Sequence, residues 1–76
     1  MPRQATAKEV MALLESMGFK HTRTRGSHFR YEHPDGRKTS VPVHGKEPIG
    51  PGLLNIIIKR DLRMDKDAFF KLLEKK

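Results

Sequence analysis

Residues 26–44 have the sequence GSHFRYEHPDGRKTSVPVH, which has the pattern of a β-hairpin. Its middle, His33-Pro34-Asp35-Gly36, has the composition of a turn, because proline fixes one backbone angle and glycine tolerates a positive φ. Side chains alternate in character on either side of that turn. Ser27 to His33 and Lys38 to Val43 are therefore predicted to form two antiparallel strands joined by a short connection.

Alternation along these strands distributes the side chains between two faces of the predicted sheet. The residues predicted for the core face are Phe29, Tyr31, Val41 and Val43. His28, Arg30 and Glu32 then point to the opposite face. We expect that face to be basic, to be left uncovered by helices and to carry a histidine at its centre.

The residues before the hairpin predict a helix followed by a first strand. Thr6 and Glu9 have the spacing of a capping box, with a hydroxyl at the N-cap and a carboxylate three residues later. Behind them, an apolar stripe at helical spacing consists of Val10, Leu13, Leu14 and Met17. Gly18 is placed to end this helix. The short, Thr-rich segment from Phe19 to Arg25 is predicted to be the first strand, which ends at Gly26.

Two further helices are predicted after the hairpin. His44 to Gly52 contains three glycines and two prolines and predicts a loop. The inward stripe of the second helix is predicted to be Leu53, Ile56, Ile57 and Arg60. A third helix is predicted after Asp65 as N-cap, with Met64 and Phe69 spaced as a hydrophobic staple. Its buried face is predicted to be Phe69, Leu72 and Leu73.

These elements predict an α+β fold in the order α-β-β-β-α-α, with the helices packed on one side of a three-stranded antiparallel sheet. A chain of 76 residues accommodates one domain, taken as residues 1–76. The absence of cysteine excludes disulfides, thiolate metal sites and a cysteine nucleophile. The apolar stretch from Leu53 to Ile58 is too short to span a bilayer, and the first residues lack the apolar core of a signal peptide. We therefore expect a cytoplasmic protein.

The charge of the chain points to a polyanionic partner, most often a nucleic acid. Sixteen Lys and Arg residues stand against nine Asp and Glu residues, which gives a net charge of +7. Between Lys20 and Lys46 the only acidic residues are Glu32 and Asp35, and all four histidines lie in the same stretch. The residues predicted to contact RNA are Lys20, Arg23, Arg25, Arg30, Arg37, Lys38 and Lys46.

A histidine on a basic sheet face suits the cleavage of RNA. The ribose 2′-hydroxyl supplies the nucleophile, so the protein needs a base to take its proton and cations to stabilise the phosphate charge. An unperturbed histidine titrates near pH 6.5, which makes His28 the candidate base. His44 is a candidate second participant, whereas His21 is expected to be a surface strand residue and His33 part of the turn.

A metal site is not predicted. His28, His33 and His44 match no compact ligand spacing, and carboxylates are scarce in this region. Two-metal nuclease chemistry needs more acidic residues than Glu32 and Asp35, and we expect Asp35 to be occupied in the turn. The residues by themselves support RNA binding more strongly than RNA cleavage.

Several motifs resemble the HicA toxin family. They are Gly26-Ser27-His28 followed by Tyr31, then His33-Pro34-Asp35-Gly36, Val41-Pro42-Val43-His44, Pro48-Ile49-Gly50, Gly52-Leu53, Ile57 to Lys59, and Asp65 to Leu73. The resemblance covers nearly the whole chain. It implies a fold similar to the double-stranded-RNA-binding domain and a ribosome-independent toxin that cleaves mRNA and is neutralised by a HicB antitoxin.

The same resemblance assigns the catalytic histidine of Gly-Ser-His to His28. Many members of the family have a second histidine directly after it, where this chain has Phe29. His44 corresponds to a histidine that is common after the third strand. No metal or other cofactor is expected. Two hypotheses follow: a metal-independent endoribonuclease held in check by an antitoxin, or a non-catalytic RNA-binding module with a degenerate toxin fold.

Overall fold

The computed structural model describes residues 4–74, and an antiparallel sheet of three strands lies at the centre of this part of the chain. The strands are β1 (Lys20–Arg25), β2 (His28–Glu32) and β3 (Lys38–Pro42), in the order β1-β2-β3. The helices are α1 (Ala7–Ser16), α2 (Pro51–Ile56) and α3 (Lys66–Glu74). A π-helical turn, Ile57–Asp61, continues α2. The predicted α+β fold and its α-β-β-β-α-α order are confirmed, while both ends of the predicted 1–76 domain lie outside the described residues.

Helix α1 forms as its sequence predicts. The Glu9 backbone N–H donates to the Thr6 hydroxyl at 3.2 Å, and the Thr6 backbone N–H donates to the Glu9 carboxylate at 3.0 Å, which completes the capping box. Gly18 follows the helix with a φ of +101°, and a Cβ there would lie 3.1 Å from the His33 ring. Glycine therefore serves both the left-handed backbone and the close approach of a histidine.

One face of the sheet packs against the helices. Phe29 pairs with Val41 and Tyr31 pairs with Thr39, so these four side chains share a face. Tyr31, Thr39 and Val41 are buried, and Phe29 packs against the core with part of its surface exposed. The predicted core face is confirmed. We call this side of the sheet the covered face.

The inward stripe predicted for α2 is wrong at three of its four positions. Leu53 and Ile56 are 42% and 43% exposed, and the Arg60 side chain is 76% exposed. Only Ile57 is buried as predicted. The remaining inward residues are Leu54, Ile58 and Asp61.

Two helical frames fit the sequence equally well here, because residues 53–58 are apolar except for Asn55. The chain adopts the frame in which Leu54, Ile57 and Ile58 enter the core. That frame also brings the Asp61 carboxylate 2.9 Å from the hydroxyl of Thr39, which donates to it. The frame that leaves Leu53 and Ile56 exposed is thus the one that forms the bond between Thr39 and Asp61. The spacing of apolar residues does not predict such a polar contact.

Helix α3 differs from its predicted face at one residue. Phe69 and Leu73 are buried as predicted, but Leu72 is 39% exposed. Phe70 packs against the core in its place, with its ring 5.4 Å from that of Phe69. The buried face of α3 is therefore turned towards Phe70 and away from Leu72. No helix among residues 4–74 is long and apolar enough to cross a membrane.

Candidate functional site on the open sheet face

The second face of the sheet, here called the open face, consists of three cross-strand rows. The rows are Arg25–His28–Pro42, Arg23–Arg30–Ser40 and Lys20–Glu32–Lys38. A β-bulge between His21 and Arg23 resets the register of β1 and brings Arg23 opposite Arg30. The open face is basic, as predicted, because Glu32 is the only acidic residue in its rows.

His28 lies in the end row of the open face, so the predicted central position is wrong. The centre of β2 on this face is taken by Arg30, because the strand begins at His28, directly after the turn at Gly26 and Ser27. Neighbouring strands still hold His28 on both sides, at Arg25 and Pro42. Its imidazole is exposed and has no hydrogen bond or ion pair within residues 4–74.

The four histidines divide into two that are engaged and two that are free. The His21 ring lies 2.6 Å from the Thr24 hydroxyl and packs near Phe29, with their ring centroids 5.3 Å apart. The His33 Nε2 lies 3.2 Å from the Met17 carbonyl, and its Nδ1 accepts from the Asp35 backbone N–H at 3.1 Å. The exposure of His21 and the turn position of His33 are confirmed.

His44 is the second free histidine of the described chain. It is exposed, directly after β3 and the partly buried Val43. His28 and His44 both line a cavity of about 220 Å³ between the end of the sheet and the loop that leads to α2. The structure therefore brings together the two histidines that the sequence singled out.

Arginine side chains border His28 on the open face. Arg23, Arg25 and Arg30 line a cavity of about 340 Å³ that His28 shares. The Arg30 Nε donates to the Glu32 carboxylate at 3.1 Å, and this bond is the main reason that the pKa of Glu32 is lowered. Arg30 keeps exposed surface despite this ion pair, so its guanidinium remains accessible to a phosphate.

Arg37 lies apart from these residues. Its Nε donates to Asp35 at 2.7 Å, its Nη1 donates to the Leu62 carbonyl at 3.0 Å, and its guanidinium stacks 5.2 Å from the centroid of Phe19. Backbone and side-chain hydrogen bonds from Arg37 lower the pKa of Asp35, which is occupied in the turn as predicted. Lys46 is exposed in the loop after β3. The structure thus assembles Lys20, Arg23, Arg25, Arg30 and Lys38 but not Arg37 or Lys46.

A cavity of about 320 Å³ between the open face and α2 was not anticipated from the sequence. His28, Arg30 and Lys38 line it from the sheet, together with Ser40 and Pro42. The lining residues on the helical side include Leu53, Ile56, Arg60 and Asp61. The sequence did contain a signal for an apolar surface here. Residues 53–58 are mostly apolar, and one face of a helix can bury only part of them. Within residues 4–74 no group of three or more His, Asp or Glu residues is arranged to hold a metal ion.

Fold and site together define a small α+β protein with a cationic sheet face and an unengaged histidine on it. A family model described as the HicA toxin of bacterial toxin–antitoxin systems matches residues 7–61. Because that match covers more than half of the chain, the chain belongs to the HicA toxin family. The matched range contains all three strands, α2 and the π-helical turn, and therefore every residue of the open face. No curated protein matches the chain.

Membership makes the chain a toxin of a toxin–antitoxin system and implies an antitoxin partner.

Proposed function

We propose that this toxin is a metal-independent and ribosome-independent endoribonuclease that cleaves single-stranded mRNA in the cytoplasm, with His28 as its acid–base residue. The observation that carries the proposal is the state of His28. It is exposed, held by strands on both sides, and unengaged within residues 4–74, while Arg25 and Arg30 border it. A general base needs a free nitrogen, and His28 has one where a phosphate would bind.

The reaction follows from groups that the substrate and this face supply. His28 takes the proton of a ribose 2′-hydroxyl, whose oxygen attacks the adjacent phosphorus. The bond from phosphorus to the 5′-oxygen breaks, and a proton is delivered to that leaving oxygen. The products are a 2′,3′-cyclic phosphate and a 5′-hydroxyl end, so no metal-activated water is needed.

Two further groups have assigned roles in this proposal. His44 is the candidate donor of the proton to the leaving oxygen, because it shares the 220 Å³ cavity with His28. The guanidiniums of Arg25 and Arg30 stabilise the charge that develops on the phosphate, while Lys38 extends the cationic path along β3.

A HicB-like antitoxin is the proposed regulator. The net charge of +7 and the exposed Leu53 and Ile56 beside His28 favour a partner with acidic and apolar groups. Such a partner would cover the open face and deny RNA access to His28. Translation would be inhibited only when the antitoxin is absent.

One observation favours the alternative of a non-catalytic RNA-binding module. In many hydrolytic sites a third group orients the catalytic histidine, and within residues 4–74 no side chain bonds to the His28 ring. A degenerate toxin would keep the cationic face and bind RNA without cutting it. The two functions differ in a single assay.

That assay incubates the protein with a labelled single-stranded RNA in EDTA, beside His28→Ala and the control variant His21→Ala. We expect wild type and His21→Ala to cleave, and His28→Ala to lose roughly 10²–10⁴-fold in rate. A substrate with 2′-O-methyl groups should bind without being cut. Retention of RNA by all three proteins without cleavage would establish the binding module instead.

A further inference from the structure

We propose that the 320 Å³ cavity between the open face and α2 is a nucleotide subsite that selects guanine, with Asp61 as the specificity-determining residue. This inference rests on the proposed function, since it names the base held beside the scissile phosphate. His28 lines this cavity and also the two neighbouring cavities of about 220 and 340 Å³. A nucleotide bound there would place its phosphate next to the imidazole.

The size and walls of the cavity suit a single nucleotide. Its volume of about 320 Å³ lies at the lower end of the range of small-ligand sites. Leu53 and Ile56 form an apolar wall, and they are two of the three large hydrophobic residues that are exposed in the described chain. Bases that are unstacked from single-stranded RNA present a flat apolar surface that such a wall can cover.

A carboxylate in this cavity has no use in holding phosphate. Asp61 is the only acidic residue that lines it, among Arg30, Lys38 and Arg60. Its Oδ2 accepts from the Thr39 hydroxyl at 2.9 Å and its Oδ1 accepts from Arg60 Nε at 3.2 Å. Each carboxylate oxygen can accept a second hydrogen bond. The Arg60 bond joins an exposed side chain and is weak enough for a ligand to displace.

The pattern of donors on the bases favours guanine at this carboxylate. Guanine presents the N1–H and the exocyclic amine side by side on its Watson–Crick edge, and two oxygens of one carboxylate accept both. Adenine and cytosine place an acceptor beside their amine, and uracil flanks its single N–H with two carbonyl oxygens. Those acceptors would repel Asp61, so the same carboxylate that binds guanine disfavours the other three bases.

The experiment measures binding without cleavage, using 2′-fluoro pentanucleotides that lack the nucleophile. They carry guanine, hypoxanthine, adenine, cytosine or uracil at the middle position between flanking uridines. Fluorescence anisotropy should give a Kd for the guanine ligand roughly 5- to 150-fold lower than for the uracil ligand, the discrimination typical of a bidentate contact. Hypoxanthine, which lacks the exocyclic amine, should fall between them. Equal Kd values for all five ligands would overturn the proposal.

Variants on both sides of the cavity assign the effect to residues. Asp61→Asn should remove the guanine preference, and a preference that survives in this variant would exclude Asp61. Leu53→Ser should weaken binding of every ligand several-fold, whereas the control Leu72→Ser, an exposed leucine on α3, should not. If Leu53→Ser leaves all Kd values unchanged, the apolar wall serves a protein partner and the subsite proposal is wrong.

If Asp61→Asn does not fold, the hypoxanthine ligand still tests the proposal. Hypoxanthine lacks the exocyclic amine, so it removes one hydrogen bond to Asp61 without changing the protein. The experiments also distinguish a wrong subsite proposal from a wrong nuclease proposal. Guanine preference without any cleavage in EDTA would contradict only the nuclease. Cleavage with base-independent binding would contradict only the subsite.

Discussion

The two sides of the sheet differ in how many partners their basic side chains have. On the side of the helices, Arg37, which directly precedes β3, is fixed by Asp35, by the Leu62 carbonyl and by the ring of the buried Phe19. On the open side, Arg30 has one exposed ion pair and the His28 ring has no partner within residues 4–74. Side chains that have partners hold the fold together, and side chains without them remain available for a ligand.

This difference separates stability from function along a single strand. Tyr31 and His28 both belong to β2, yet Tyr31 is buried against the helices and His28 is exposed. Substitutions on the covered side should change the free energy of unfolding. Substitutions on the open side should change RNA binding or cleavage at nearly constant stability, within about 0.5 kcal/mol.

The largest expected effect on stability comes from the core beneath the covered face. Phe69 is fully buried on α3, and Phe69→Ala should cost about 3–5 kcal/mol because it removes buried apolar surface and leaves a cavity. Urea denaturation measures this loss. Leu72→Ala on the same helix is the control and should cost less than about 1 kcal/mol, because Leu72 is exposed. Equal losses would mean that Leu72 is as deeply buried as Phe69, which would contradict this orientation of α3.

Removing two cations from the open face should weaken RNA binding. The double variant Arg30→Ala, Lys38→Ala should lower the slope of log K against log salt by roughly 0.7 per lost phosphate contact with a single strand. The control Arg37→Ala should keep the slope and lose stability, since its guanidinium bonds to Leu62 and Asp35. A slope that falls for Arg37→Ala alone would locate the phosphate path on the other side of the sheet.

Tyr31 provides a pH-dependent test of the covered face. Burial, and a hydrogen bond from its hydroxyl to the Glu15 carboxylate, raise the pKa of Tyr31 above its usual value of 10.0. A raised pKa means that Tyr31 stabilises the fold fully below pH 10 and that this contribution is lost as pH rises through the higher folded-state value. Tyr31→Phe should lose about 1 kcal/mol at pH 7 and show a flatter fall in stability above pH 10. An unchanged alkaline slope would show that another group controls it.

The smallest expected effect is a gain in RNA affinity on removing the charge of Glu32. Glu32 accepts from Arg30 on the open face, and its lowered pKa keeps it charged at neutral pH. Glu32→Gln should tighten RNA binding by up to about five-fold, because it frees Arg30 and removes a negative charge beside the RNA. Weaker binding in an anisotropy titration would mean that Glu32 is needed to orient Arg30.

The sequence predicted those parts of the fold that local rules govern. Strand alternation assigned Phe29, Tyr31 and Val41 to the covered face, and the spacing of Thr6 and Glu9 located the start of α1. Its prediction for α2 was wrong, because two apolar frames were equivalent until a contact distant in sequence, Thr39 with Asp61, was known.

The sequence pointed to candidate residues for the site, but it did not predict how the structure arranges them. The resemblance to a family pointed to His28, and the charge pattern pointed to the arginines around it. That Arg37 would bond to the Leu62 carbonyl depends on how the π-helical turn packs, which no local pattern reports. The cavity between the open face and α2 was not predicted either, because Leu53 and Ile56, which line it, were expected in the core.

Chemical rescue tests directly whether the free imidazole of His28 takes part in RNA cleavage. Purified His28→Ala is incubated with labelled RNA in EDTA, with and without added imidazole, and the cleavage positions are compared with those of the wild type. We expect little cleavage without imidazole and restored cleavage of the same bonds with it. Cleavage by His28→Ala at the wild-type rate without imidazole would mean that His28 is not the acid–base residue.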